Sequence, residues 1–130
     1  MCSSDLCSIE KDLLKYAGAN NPLWIIRKGE LIETKANKQP IGKFDNYENY
    51  TTHTFGLKQG DSIYIFSDGY VDQFGGEKEK KFKSKAFKHL LLSIQDKTML
   101  EQKVILDKSF EDWRGSLDQV DDVCVIGLRI

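Results

Sequence analysis

The run Ser62-Ile63-Tyr64-Ile65-Phe66 is apolar almost without interruption. A strand with one wet face alternates apolar and polar residues, whereas an unbroken run marks a strand buried on both faces. A second run, Val123-Cys124-Val125-Ile126-Gly127-Leu128, has the same character. At 130 residues the chain is one domain or part of one, with enough length to bury such strands in a core.

The segments before the first run read as β-structure. Leu6 to Glu10, Leu13 to Ala17, Leu23 to Lys28 and Glu30 to Lys35 are short strand-like runs separated by turn residues. Glu10-Lys11-Asp12 suits a tight hairpin connection, and Lys28-Gly29-Glu30 looks like a second hairpin turn. Asn20-Asn21-Pro22 is a turn signal, since Asn tolerates left-handed dihedrals and Pro pins the next one. Together these segments suggest a meander of antiparallel strands. Ala36 to Asn49, polar and carrying Pro40 and Gly42, reads as a loop, and Tyr50 to Phe55 as a further strand.

Two helices follow. Ala86, Phe87, Leu90, Leu91 and Ile94 form one stripe at helical spacing after Ser84. Thr98 and Glu101 make a capping-box pattern that opens a second helix through Met99, Leu106, Phe110 and Trp113. Gly115 stands where a C-terminal glycine would end it. The sequence shows no internal repeat, linker or second domain.

Composition excludes several functions. The 19 basic and 20 acidic side chains leave a net charge of −1, so nothing global draws the chain to nucleic acid or an anionic membrane. The basic run from Lys78 to Lys88 reads as a solvated face or loop that could also meet an acidic or phosphorylated partner. No apolar run is long enough to span a bilayer. Cys2, Cys7 and Cys124 are odd in number and match no zinc spacing. Cys7 and Cys124 lie in apolar strand-like runs and read as buried reduced thiols. With no secretory segment, a cytoplasmic setting is expected.

The chemistry-bearing candidates are aspartates at strand ends. Asp68 closes the first buried strand in Ser67-Asp68-Gly69, and Asp121-Asp122 open the second. If those strands pair antiparallel, their carboxylates converge on one rim, where a hard cation such as Mg²⁺ or Mn²⁺ would relieve their repulsion. The bland reading also stands: Asp-Gly is a common turn and Asp-Asp a common solvated strand start. His53 and His89 have no partner at ligand spacing and read as structural or surface residues. Ser67 has no evident general base. Gly75-Gly76 opens no strand-to-helix phosphate loop.

Five segments in order carry a resemblance. Lys15-Tyr16-Ala17-Gly18-Ala19-Asn20-Asn21-Pro22 resembles the "YxxAGHxP"-type element of the sporulation stage II E phosphatases, a bacterial branch of the metal-dependent (PPM) protein phosphatases. Gln39-Pro40-Ile41-Gly42 resembles that family's "PLG", and Leu57-Lys58-Gln59-Gly60-Asp61 its "LxxGD" turn. Ile65-Phe66-Ser67-Asp68-Gly69 is similar to its "YSDG" strand end, here continued by Asp72-Gln73-Phe74-Gly75-Gly76. Asp121-Asp122-Val123-Cys124-Val125 is similar to its closing "DDxTV" strand. Ala19 replaces the usual His, and Cys124 the usual Thr.

The resemblance implies an α+β fold: part of an αββα sandwich of antiparallel strands with two late helices. It implies hydrolysis of phosphoserine or phosphothreonine on a protein by water activated between two Mn²⁺ or Mg²⁺ ions. By motif position Asp68 and Asp121 would be metal ligands, with Asp122 a supporting or strand-capping residue. The implied substrate is a phosphorylated regulatory protein, such as an anti-sigma-factor antagonist. The family site also uses an earlier bridging aspartate in an Asp-Gly element, and no such element precedes Leu13. The chain is therefore expected to be an N-terminally truncated domain, holding at most one cation and catalytically silent alone. An uncovered sheet face would favour self-association. The alternative is a non-catalytic binding or regulatory module with the same sandwich, or a structural domain whose aspartate turns are incidental.

Overall fold

The computed structural model describes residues 5–10, 13–18, 23–34 and 53–130. The chain order is β1 (Asp5–Glu10), β2 (Leu13–Gly18), β3 (Leu23–Arg27), β4 (Glu30–Thr34), β5 (His53–Gly56), β6 (Ser62–Phe66), β7 (Phe74–Gly75) and β8 (Lys80–Lys81). Helices α1 (Lys83–Ser93) and α2 (Met99–Arg114) follow, and β9 (Val125–Arg129) ends the chain. The sheets are β1-β2-β5, β4-β3-β6-β9 and the small hairpin β7-β8, and every pairing is antiparallel.

Alternation along β3 and β6 explains the layering. Trp24, Ile26, Tyr64 and Phe66 point to one face and pack with Phe87, Leu91, Leu106 and Phe110 of the helices. Leu23, Ile25 and Ile63 point to the other face and pack with Leu14 of β2 and Leu57. Both strands are thus buried on both sides, between the three-stranded sheet and the helices. The expected unbroken strand is central, as the sequence requires.

The expected single meander is not what forms. β1 and β2 make a hairpin, and β3 and β4 make another, but the two hairpins belong to different sheets. The reason lies in cover: β3 is buried at four consecutive positions and needs a layer on each face. At its described side chains β2 alternates, with Leu14 buried between exposed Leu13 and Lys15, the pattern of a strand covered on one face. The β3–β4 turn has Lys28 at φ 51° and Gly29 at φ 78°, the two left-handed residues a type I′ hairpin requires. The Asn20-Asn21-Pro22 turn, the Ala36–Asn49 loop with its Gln39–Gly42 element, and Cys2 lie outside the described residues.

Both helices fall where their stripes place them. Thr98 Oγ1 accepts from the Glu101 amide at 3.1 Å while the Glu101 carboxylate accepts from the Thr98 amide at 3.2 Å, a complete capping box. Gly115 ends α2 with φ 58°. One buried position on α2 is polar: Gln102 accepts from the Tyr64 hydroxyl at 2.6 Å and donates to Ile94 O and Lys97 O. The β7–β8 hairpin was not expected from the sequence, because two-residue strands leave no periodicity to read.

Two burial expectations fail on the last strand. Cys124 is exposed, and on β9 Ile126 and Leu128 remain 59% and 45% exposed. β9 is an outer strand of its sheet among the described residues, so its outward faces lack a covering layer. Cys7 is half-buried, and that burial pushes its thiol up from the usual cysteine value. His89 is exposed on α1, as a surface histidine should be.

The entrance to β6 is held by charge. Asp61, 1% exposed, takes Arg27 Nε at 2.9 Å on Oδ1 and Arg27 Nη2 at 2.7 Å on Oδ2. The Lys58 amide reaches Oδ2 at 2.8 Å, and Arg27 Nη2 also caps Gly56 O. The Arg27 guanidinium, and after it the Lys58 amide, hold the Asp61 carboxyl below the usual carboxylate range against the opposing effect of burial. A depressed folded value means the pair stabilises fully above the unfolded carboxyl value of about 3.9 and fades as pH falls through the folded one. Asp61→Asn should therefore cost about 2–4 kcal/mol at neutral pH, since it strands half of a buried ion pair. Urea denaturation of both proteins checks this, and the gap between them should narrow on acidification toward pH 3.

Candidate functional site

The rim of interest is built where β6 ends and β9 begins. Phe66 and Val125 are register partners, and beyond them the Ser67 amide donates to Cys124 O at 2.9 Å. The Ser67 hydroxyl then bridges the strands, donating to Asp122 O at 3.1 Å and accepting from the Cys124 amide at 3.0 Å. This oxygen is occupied in joining backbone to backbone, which accounts for a serine without a general base. Gly69 lies so close to the incoming chain that a Cβ would sit 2.2 Å from Asp122 O. Only glycine allows that approach.

Asp68, Asp121 and Asp122 are thus brought to one end of the sheet, and all three are exposed. The Asp68 carbonyl accepts from the Asp72 amide at 2.9 Å, which closes a helical turn after β6. Asp121 Oδ1 accepts from the Asp122 amide at 2.7 Å, and Asp121 O from Gln119 Nε2 at 2.9 Å. The backbone segments that carry Asp68 and Asp121-Asp122 therefore lie side by side, as antiparallel pairing of the two strands implies. Yet among the described residues no three His, Cys, Asp or Glu side chains come together closely enough to hold a metal ion. The described carboxylates at this rim do not by themselves make a complete metal site. An open groove of about 920 Å³ between α2 and β9 has none of the three aspartates in its lining.

The rim rests on a clamp that sequence reading missed. Gln73, 0% exposed, donates from Nε2 to Phe74 O at 3.0 Å and to Asp118 O at 2.9 Å. Its Oε1 accepts from the Val120 amide at 3.3 Å. Its backbone carbonyl accepts from Trp113 Nε1 at 2.8 Å and the Phe82 amide at 3.0 Å. Tyr70 anchors the same loop from within the core, donating its hydroxyl to Leu106 O at 2.8 Å. Burial first, and then the Asp107 charge, push the Tyr70 hydroxyl well above the usual phenol value, so it stays a donor. A glutamine inside Asp-Gln-Phe-Gly-Gly carries no periodicity signal; its only clue was the polar residue between an apolar core segment and a glycine pair.

The sequence profile of the stage II sporulation protein E (SpoIIE) family matches residues 4–130. The chain belongs to the SpoIIE family. Among solved structures it is similar to the SiaA-PP2C domain of Pseudomonas aeruginosa, with a TM-score of 0.82, 28% identity, and coverage of 92% of this chain and 47% of that one. It is similar in fold to the phosphatase domain of the cell fate determinant SpoIIE from Bacillus subtilis, with a TM-score of 0.72 and 22% identity over 98% of this chain and 56% of that one. It is also similar in fold to the catalytic domain of the serine/threonine protein phosphatase PstP in complex with two manganese ions. That match has a TM-score of 0.61 and 15% identity, and covers 93% of this chain and 55% of PstP's. No curated protein matches the chain significantly. The SpoIIE-family chain spans about half the length of the solved relatives it matches. Its fold is that of PP2C-type phosphatases, with mixed antiparallel sheets and helices.

The clamp gives a test of how the rim is held. Gln73→Leu should lower stability by about 2–4 kcal/mol, because it leaves the Asp118 carbonyl and Val120 amide without partners. Amide hydrogen exchange should show the Val120 proton exchanging faster, while the central β3–β6 amides keep their protection in proportion to the global change.

Proposed function

We propose that this chain is part of a metal-dependent protein serine/threonine phosphatase, acting on phosphoserine or phosphothreonine of a cytoplasmic regulatory protein. One observation carries the reading in a SpoIIE-family chain: Ser67 joins the end of β6 to the start of β9, so that Asp68 and Asp121-Asp122 share one rim. Asp68 and Asp121 are the residues that would hold a divalent cation, Mn²⁺ or Mg²⁺, with Asp122 supporting the turn. A PstP structure with two manganese ions supports that class of metal. A cation at such a site supplies positive charge beside phosphoryl oxygens and lowers the pKa of water. The contribution of the chain itself is positional. Ser67 and Gly69 fix the spacing of the two strands, and Gln73 fixes the approach to Asp121.

Two carboxylates hold a hard cation weakly, because affinity rises with ligand number and charge. We therefore propose that these 130 residues alone take up at most one cation and do not turn over substrate. The absence of a three-donor cluster among the described residues also favours a second reading, a non-catalytic binding or regulatory module on the same sandwich. Calorimetric titration with Mn²⁺ should give weak, single-site binding that Asp68→Asn with Asp121→Asn abolishes. A phosphopeptide with millimolar Mn²⁺ should release no phosphate. Release that disappears in Asp68→Asn would show that the rim is complete after all; equal Mn²⁺ binding by the double variant would remove the rim from metal chemistry.

The partner assigned by this reading is a phosphorylated regulatory protein, of which an anti-sigma-factor antagonist is one class. The exposed Ile126 and Leu128 on β9 further support self-association of the isolated chain through this outer strand. Sedimentation velocity should show mass rising with concentration, and Leu128→Lys should shift the population back toward monomer.

A further inference from the structure

Between Glu77 and Lys88 the chain carries six lysines and two glutamates, although the whole molecule is close to neutral. This charge is concentrated on the β7–β8 hairpin and the first turn of α1. Lys78, Lys80, Lys83 and Lys85 are exposed, and among the described residues none of them takes part in an ion pair. Lys88 is turned away onto Glu33 at 2.9 Å. Lys81 alone reaches back toward the acidic rim, standing 3.8 Å from Asp72, whose amide is bonded to the Asp68 carbonyl. The basic surface and the candidate acidic rim are therefore neighbours on one loop.

The hairpin is also held firmly. A Cβ on Gly75 would lie 2.0 Å from Trp113 O, so the strand is pressed against the end of α2. Phe82 stacks edge-on with Tyr70 and Trp113, at centroid distances of 5.3 and 5.4 Å. The Phe82 and Lys83 amides bond to Gln73 O and Val71 O. A surface fixed in this way loses little backbone freedom when something docks on it. Lys83 and Lys85 also stand at the start of α1, where the helix dipole disfavours cations and no acidic residue offsets them. Local stability is not what this placement serves.

We propose that the β7–β8 hairpin, through Lys78, Lys80, Lys83 and Lys85, is a docking surface for acidic residues flanking the phosphorylated residue of the substrate protein. The proposal rests on the phosphatase reading for the phosphoryl group and on charge complementarity for the flanks. The occupant is an acidic polypeptide segment, in extended form, whose phosphoserine faces the Asp68 rim while its carboxylates lie over the lysines.

Fluorescence anisotropy with the 130-residue chain tests it. Two labelled phosphoserine peptides would differ only in flanks, one carrying three acidic residues on each side and the other alanines. The acidic peptide should bind about tenfold more tightly, the order expected of several exposed charge pairs acting together. That advantage should shrink with added salt and vanish in Lys78→Gln with Lys80→Gln and Lys85→Gln, whose thermal unfolding should be unchanged. Equal binding of the two peptides, or an advantage that survives the triple substitution, would overturn the proposal. So would a single-stranded oligonucleotide that binds the hairpin more tightly than the acidic phosphopeptide. With millimolar Mn²⁺ present, an unphosphorylated acidic peptide that binds as well as its phosphorylated form would sustain the basic surface while counting against the phosphatase reading.

Discussion

The buried amide of Gln73 is the contact on which the working end of this chain depends. Through one side chain and one carbonyl it joins the loop after β6, the β7–β8 hairpin, the end of α2 and the segment leading to Asp121. A buried amide is costly unless its donors and acceptors are met. Here both ends are met by backbone groups of segments that have little apolar surface of their own. The hydrogen bonds do for these loops what apolar burial does for β3 and β6. Loss of the amide would leave several polar groups unpaired at once, so its effect would exceed that of one average hydrogen bond.

Ser67 works on the other side of the same rim. Gln73 fixes the chain before Asp121, and Ser67 fixes the chain after it, so the acidic turn is pinned at both ends. The backbone that carries the aspartates is positioned by these hydrogen bonds. Contrast this with Asp61 at the opposite end of β6. Asp61 is buried and spends both oxygens on Arg27 and the Lys58 amide, while Asp68 is exposed. Two aspartates beside glycines at the two ends of one strand thus differ in setting: the first is buried and secures the strand, and the second is exposed at the rim.

Much of this was readable in the residues because it follows from period and turn chemistry. The unbroken run at Ser62–Phe66 announced a strand covered on both faces, Thr98 and Glu101 announced a helix start, and Lys28-Gly29 announced a hairpin. The antiparallel pairing of the strand before Asp68 with the strand after Asp121-Asp122 also followed, since it needs only that the two apolar runs be neighbours. What was not readable depends on contacts distant in sequence. Periodicity shows that a strand is buried but not which sheet it joins, so two hairpins looked like one meander. Gln73 and Gln102 are polar letters whose burial depends in part on partners as far as 47 and 38 residues away. Cys124 looked buried because its run is apolar, yet it stands exposed just before an outer strand, where burial needs a neighbour that composition cannot supply.

The electrostatics of the rim decide how a substrate could approach it. A phosphoryl group is a dianion near neutral pH, and three exposed carboxylates repel it unless a cation intervenes. The lysines on the hairpin attract the same group and the acids around it. With Lys81 and Asp72 at their boundary, the proposed docking would divide the work: the hairpin would gather an acidic segment, and the rim would accept its phosphoryl group only with positive charge present there. Under that proposal binding and chemistry would be separable, because the hairpin would need no metal to attract a ligand. Affinity for an acidic phosphopeptide should accordingly outlast neutralisation of the rim aspartates, and removing their repulsion should strengthen it.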